Sequence, residues 1–160
     1  MGFSIPIPSF SEIKQLRKKW TWQEIQWGKH HGIVQAADAI KYACELLSDD
    51  REDFTELLNL AIGDQYSEAI DQKIDVLCRF EEKETRDDIL RVWRKGILEW
   101  LYYNEKDENR LREKVEMLYA DFDYPKDMQY LIGYMPIQGE ERKWNIKESL
   151  REYIQRYSSI

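Results

Sequence analysis

The chain has 160 residues, 42% of them hydrophobic, 13% aromatic and 34% charged, and a formal net charge of −7. That length suits one domain, expected to span 1–160 and to bury roughly two thirds of the surface its unfolded chain exposes. The apolar fraction excludes disorder, and seven glycines and four prolines exclude a linker-rich or collagenous chain. No window approaches about eighteen uncharged apolar residues, and MGFSIPIPSF lacks the basic start and cleavage site of a signal peptide. A pI near 5.0 disfavours nucleic acid and anionic membranes, both of which need basic surface. The expectation is a cytoplasmic globular protein that uses neither.

Apolar residues recur every three or four positions, and strict alternation is absent, which predicts an all-α chain. A short helix over about 9–18 has Ser9 or Ser11 as cap and Phe10, Ile13 and Leu16 on one face. Thr21 and Glu24 fit a capping box for the second, which Gly32 closes in the left-handed conformation. The third, about 35–47, aligns Ala36, Ile40, Ala43, Cys44 and Leu47. Asp49 and Asp50 are placed to cap a fourth, with Phe54, Leu57, Leu58 and Ala61 as core and Gly63 as stop. The fifth, about 65–80, repeats the spacing at Tyr66, Ile70, Ile74 and Leu77.

Thr85 with Asp88 opens the longest helix, about 86–104, whose stripe Ile89, Trp93, Ile97, Trp100 and Leu101 is expected at the centre of the core. Leu111, Val115, Leu118 and Tyr119 build a seventh helix ending near Asp121. Pro125 fits the first turn of an eighth, 126 to about 134, because its missing N–H costs little there. Met135-Pro136 ends it, 138–143 reads as a loop, and Asn145 with Glu148 caps a final helix carrying Leu150, Tyr153, Ile154 and Tyr157. The architecture predicted is a compact irregular bundle of eight or nine short antiparallel helices, without the fixed repeat of a solenoid.

Few residues suggest chemistry. Cys44 and Cys78 make no CxxC pair and read as small buried hydrophobes. His30 and His31, the only histidines, point about 100° apart on a helix and cannot jointly hold a metal as an i, i+4 pair does. There is no Ser/His/Asp or Cys/His arrangement and no phosphate-cradling glycine loop, so no catalytic residue, metal or cofactor is expected. Asp121-Phe122-Asp123-Tyr124-Pro125 sets two carboxylates one residue apart, a spacing that could chelate a hard cation or assist hydrolysis. It lacks the glycine and closing Glu of a calcium loop, and it reads first as a structural corner anchored by Phe122 and Tyr124.

Charge is uneven along the chain. Residues 1–35 carry five basic and two acidic side chains, 36–138 carry 14 and 25, and 139–160 carry five and four. Within the acidic middle, Asp49, Asp50, Glu52, Asp53 and Glu56 are balanced only by Arg51. They read either as a solvated helix start or as a docking face for a basic protein. Trp20, Trp22 and Trp27 cannot all face one core, since positions 20 and 22 diverge by about 200°. Core packing is the first reading of the three, which of them is exposed stays open, and Trp22 enters the candidate partner contacts because tryptophan is enriched in binding hot spots.

Trp20-Thr21-Trp22, Trp27-Gly28, His31-Gly32-Ile33, Tyr42-Ala43, Glu99-Trp100-Leu101, Tyr119 to Pro125 and Tyr134-Met135-Pro136 together resemble a bacterial family known as domain of unknown function 2247. The resemblance covers most of the chain, and 119–125 is its most specific piece. Val34-Gln35 stands where a capping Ser would be expected after Gly32-Ile33. The family is uncharacterised and supplies no catalytic residues to carry over; by analogy alone, small acidic families of this kind often resemble immunity proteins found beside secreted toxins. The leading expectation is therefore a non-enzymatic binding protein, with a basic partner such as a toxin docking on Asp49, Asp50, Glu52, Asp53, Glu56, Trp22, Asp121 and Asp123. The alternative is a carboxylate-dependent enzyme or metal-binding protein using Asp121 and Asp123. A structural or regulatory subunit is the third.

Overall fold

The computed structural model describes residues 2–133 and 145–160. Among them it contains eight α-helices, one 3₁₀ helix and no strand, so the chain is all-α. It divides into two compact units, Ser9–Ile89 and Met1–Pro8 with Leu90–Ile160.

In the first unit α1 (Phe10–Lys14) is shorter than the periodicity predicts, and Ser9 caps it with its N–H on the Glu12 carboxylate at 2.9 Å. The expected capping box opens α2 (Trp22–His30): Thr21 Oγ1 accepts from the Glu24 N–H at 3.1 Å, and the Thr21 N–H donates to Glu24 at 2.8 Å. At its end, Gly32 has φ of 79°. The Gly32 and Ile33 N–H groups donate to the carbonyls of Lys29 and Gly28, at 3.2 and 2.8 Å. That is a Schellman closure with glycine in the left-handed position.

Helix α3 (Ala36–Leu46) begins without a Ser; the Gln35 N–H instead donates to Asp38 at 2.9 Å. The following helix departs from the sequence reading. Asp49 and Asp50 lie in the turns before it, and α4 (Phe54–Ala61) starts after Asp53. The Asp53 side chain makes no cap because it pairs with Arg51, at 2.9 and 3.1 Å. Gly63 follows α4 where an added Cβ would lie 3.0 Å from the Leu60 carbonyl oxygen. Helix α5 (Ile70–Cys78) starts five residues late, because Asp64 first makes a turn by accepting from the Tyr66 N–H at 2.9 Å. Helix α3 packs on α4, α4 on α5, and α5 on α2.

Helix α6 (Arg86–Asn104) is the longest, and its residues from Leu90 on belong to the second unit. The expected stripe is broader than predicted. Every residue from Val92 to Glu99 is buried, whereas Trp100 is only half-buried. Three of the buried residues, Arg94, Lys95 and Glu99, are charged. They tolerate this because Arg94 meets Asp127 at 3.0 Å and Lys95 meets Glu99 at 3.0 Å. Helix α7 (Glu108–Asp121) is capped by Asp107, which accepts from the Arg110 N–H at 3.0 Å.

The predicted eighth α-helix is instead a 3₁₀ helix, Lys126–Leu131. Its buried side chains, Met128 and Leu131, are three residues apart, the spacing that a threefold helix aligns. Tyr134, Met135-Pro136 and the loop expected at 138–143 lie outside the described residues. Asn145 caps α8 (Ile146–Arg156) by accepting from Lys147 and Glu148 N–H at 2.9 and 3.3 Å. Helix α8 packs on α7 and on the 3₁₀ helix.

Candidate functional site

The acidic run divides into two kinds of residue. Asp49, Asp50 and Glu52 are exposed and Glu56 is half-buried, while Asp53 is 7% exposed and held by Arg51. Ser48 donates to Asp50. None of Asp49, Asp50, Glu52 or Glu56 has a Lys or Arg partner among the described residues, because the run's own cation is held by Asp53.

Trp22 lies elsewhere. It is 2% exposed, Trp20 is 4% exposed, and Trp27 alone of the three is half-buried. Trp22 sits in the core against Tyr42, with ring centroids 5.4 Å apart, so its expected surface role is corrected. The helical repeat told positions 20 and 22 apart, but Trp20 precedes α2 and is turned inward by its own contacts. Its N–H donates to the Tyr42 hydroxyl at 3.0 Å, which in turn donates to the Trp20 carbonyl at 2.9 Å. Burial pushes the Tyr42 phenol above its ordinary pKa.

The corner at 121–125 closes α7. The Asp123 and Tyr124 N–H groups donate to Ala120 and Tyr119 at 3.0 and 2.8 Å, a second Schellman closure. Asp123 and Tyr124 take φ of 62° and 55°, and the Tyr119 and Tyr124 rings meet edge to face at 5.2 Å. Both Asp121 oxygens accept from Ser4, one from its N–H at 2.8 Å and one from its hydroxyl at 2.7 Å. Asp121 therefore anchors the segment before residue 9, while Asp123 is exposed. Among the described residues no three His, Cys, Asp or Glu side chains gather in a way that could hold a metal.

One cluster was not visible in the sequence. The Glu81 carboxylate accepts from the Trp22 and Gln23 N–H groups, at 2.7 and 3.1 Å, and so caps α2 from a distance of nearly sixty residues. Thr21 donates to Glu84, and Arg17 pairs with Glu24, which is fully buried. Three carboxylates thus surround the first turn of α2, where unpaired N–H groups favour negative charge. Burial nevertheless holds Glu81 and Glu84 above the ordinary carboxylate range. Beside them opens a cleft of about 360 Å³ lined in part by Arg17, Lys19, Trp20, Trp22, Tyr42 and Glu81.

The two cysteines also differ. Cys44 is exposed, contrary to expectation, whereas Cys78 is partly buried and desolvation pushes its thiol up to about 12.

A family model described as an uncharacterized protein conserved in bacteria, DUF2247, matches residues 10–158. The chain belongs to that family. No curated protein and no solved structure matches the chain. The DUF2247 match runs through both units and includes the Thr21 capping box, the Gly32 closure and the corner at 121–125. No helix among the described residues is long and apolar enough to cross a membrane.

Proposed function

We infer that this chain is a non-enzymatic, cytoplasmic protein-binding module whose exposed acidic segment between α3 and α4 docks a basic protein, in the manner of an immunity protein that covers a toxin. The observation that carries this reading is uncompensated negative charge. Asp49, Asp50 and Glu52 are exposed and make no ion pair among the described residues. The surrounding unit, Ser9–Ile89, holds 11 basic and 18 acidic residues, and the rest of the chain 13 of each. The whole net charge thus resides in one unit, whose field would steer a cationic partner and orient it. Nucleic acid and anionic membranes fit such a surface poorly. The anchoring of Asp121 by Ser4 and the backbone closure at Asp123 support reading that acidic pair as a structural corner.

The test uses a toxin candidate encoded beside the gene as partner. Raising salt from about 50 to about 500 mM should slow association by about tenfold or more and change dissociation less, since exposed charges act mainly on encounter. Reversing Asp49, Asp50 and Glu52 together should reproduce that slowing. An on-rate indifferent to both salt and charge reversal overturns the reading.

A further inference from the structure

The cleft beside α2 has the opposite character to the acidic segment. Its walls are aromatic and aliphatic: Trp20, Trp22 and Tyr42, with Leu46 and, at 41% exposure, Phe80. A volume of about 360 Å³ suits a small ligand or a single side chain, and the rings share the lining with Arg17, Lys19, Thr21, Arg51, Asp53 and Glu81. The polar groups decide which kind.

The carboxylates and the phenol of the lining already have hydrogen-bond partners. Asp53 receives Arg51 on both oxygens, Glu81 receives the Trp22 and Gln23 N–H groups, and the Tyr42 hydroxyl both accepts from and donates to Trp20. The donors are not all used. Lys19 is exposed and has no ion pair among the described residues, and the buried Trp22 Nε1–H has no acceptor there. Of the three cations in the lining, Arg17 is paired with Glu24 and Arg51 with Asp53, which leaves Lys19 open to an anion. A ligand that complements this cleft must bring acceptors and negative charge on an apolar body.

We propose that the cleft is a binding site for an aromatic or hydrophobic carboxylate, held by Lys19 at the anion and by Phe80 along the body, with the largely buried Trp20 and Trp22 forming the floor. A free aromatic acid and the terminal carboxylate of a peptide ending in a hydrophobic residue share this chemistry. The inference is independent of the acidic docking segment, whose occupant would be cationic.

The experiment titrates the full chain with N-acetylphenylalanine, its uncharged amide, phenylacetate and inorganic phosphate, and follows the indole N–H resonances of Trp20 and Trp22. The acid is expected to bind saturably and move those two signals, and the amide and phosphate to bind at least tenfold more weakly. Lys19→Ala, a change at an exposed side chain that leaves folding intact, should weaken the acid by about tenfold, the loss of one charge-assisted contact. Lys18→Ala, at an exposed neighbour outside the cleft, should leave it unchanged. Preference for N-acetylphenylalanine over phenylacetate assigns the ligand to a chain terminus, and the reverse assigns it to a free acid. Equal binding of the amide, equal binding of phosphate, indifference to Lys19→Ala, or no saturable shift of either indole signal at about 10 mM ligand overturns the proposal.

Discussion

The two units end one helix each by the same backbone device built from different residues. After α2 the left-handed position holds Gly32; after α7 it holds Asp123, followed by Tyr124, also left-handed. Glycine takes that conformation without steric cost, whereas other residues pay roughly 1–2 kcal/mol. At α7 the edge-to-face contact of Tyr119 with Tyr124 and the hold of Ser4 on Asp121 offset that cost. The units also bury charge differently. Leu90–Ile160 closes its buried ions into short pairs, with Tyr153 donating to Asp127 at 2.9 Å beside Arg94. Ser9–Ile89 sets Glu24 and Glu81 against backbone N–H groups at the start of α2 and Glu84 on the Thr21 hydroxyl, with Arg17 paired to Glu24. Both units pair buried charge with side chains, and Ser9–Ile89 adds a helix end.

The largest effect should come from breaking the ion pair. Asp127→Ala strands Arg94, 5% exposed, and is expected to cost about 3–5 kcal/mol in chemical denaturation. Tyr153→Phe, which leaves the pair intact, should cost about 1 kcal/mol. Trp22→Ala and Trp93→Ala should each cost about 3–5 kcal/mol, and half-buried Trp100→Ala less. A smaller loss at Trp22 than at Trp100 would mean that the first unit's core is looser than its burial indicates.

The helix ends should respond with opposite signs. Gly32→Ala is expected to destabilise by about 1 kcal/mol or more, and Asp123→Gly to stabilise by up to about 1 kcal/mol. If Asp123→Gly destabilises, the Asp123 carboxylate has a role beyond closing α7, and the carboxylate reading regains ground.

Glu81 gives the first unit a pH signature. Its pKa in the folded chain lies above the ordinary carboxylate range, so the folded state binds a proton more readily than the unfolded one. Stability from this group therefore rises as pH falls from neutrality through the folded pKa, and levels off below the unfolded value. Denaturation at a series of pH values should show wild type gaining on Glu81→Gln as acid is added; the opposite slope would show that the cap outweighs desolvation. The smallest effect is chemical. In the native protein a thiol reagent should modify Cys44 alone, with Cys78 reacting on unfolding, as mass spectrometry of the labelled chain can establish.

Much of the fold was legible because its signals are local. The Thr21–Glu24 box, Gly32, Asn145 and the 3.6-residue spacing each act within one or two turns, so α2, α6 and α8 fall where the residues place them. Asp49 and Asp50 misled because any acidic residue before an apolar run resembles a cap, whereas α4 starts at Phe54 after the paired Arg51 and Asp53. The acidic segment was legible as charge, since charge is counted along the chain.

What needed tertiary structure was every feature whose partners lie far apart in the chain. Composition and periodicity determined an all-α chain, its caps and its acidic middle, because those depend on neighbours one turn away. Only folding decided that Glu81 caps α2, that Arg94 is buried with Asp127, that Trp22 is core, and that Lys19 borders a cleft. A charged or aromatic side chain takes its role from what surrounds it, and whether that environment supplies a counter-ion, a ring or water is settled by packing.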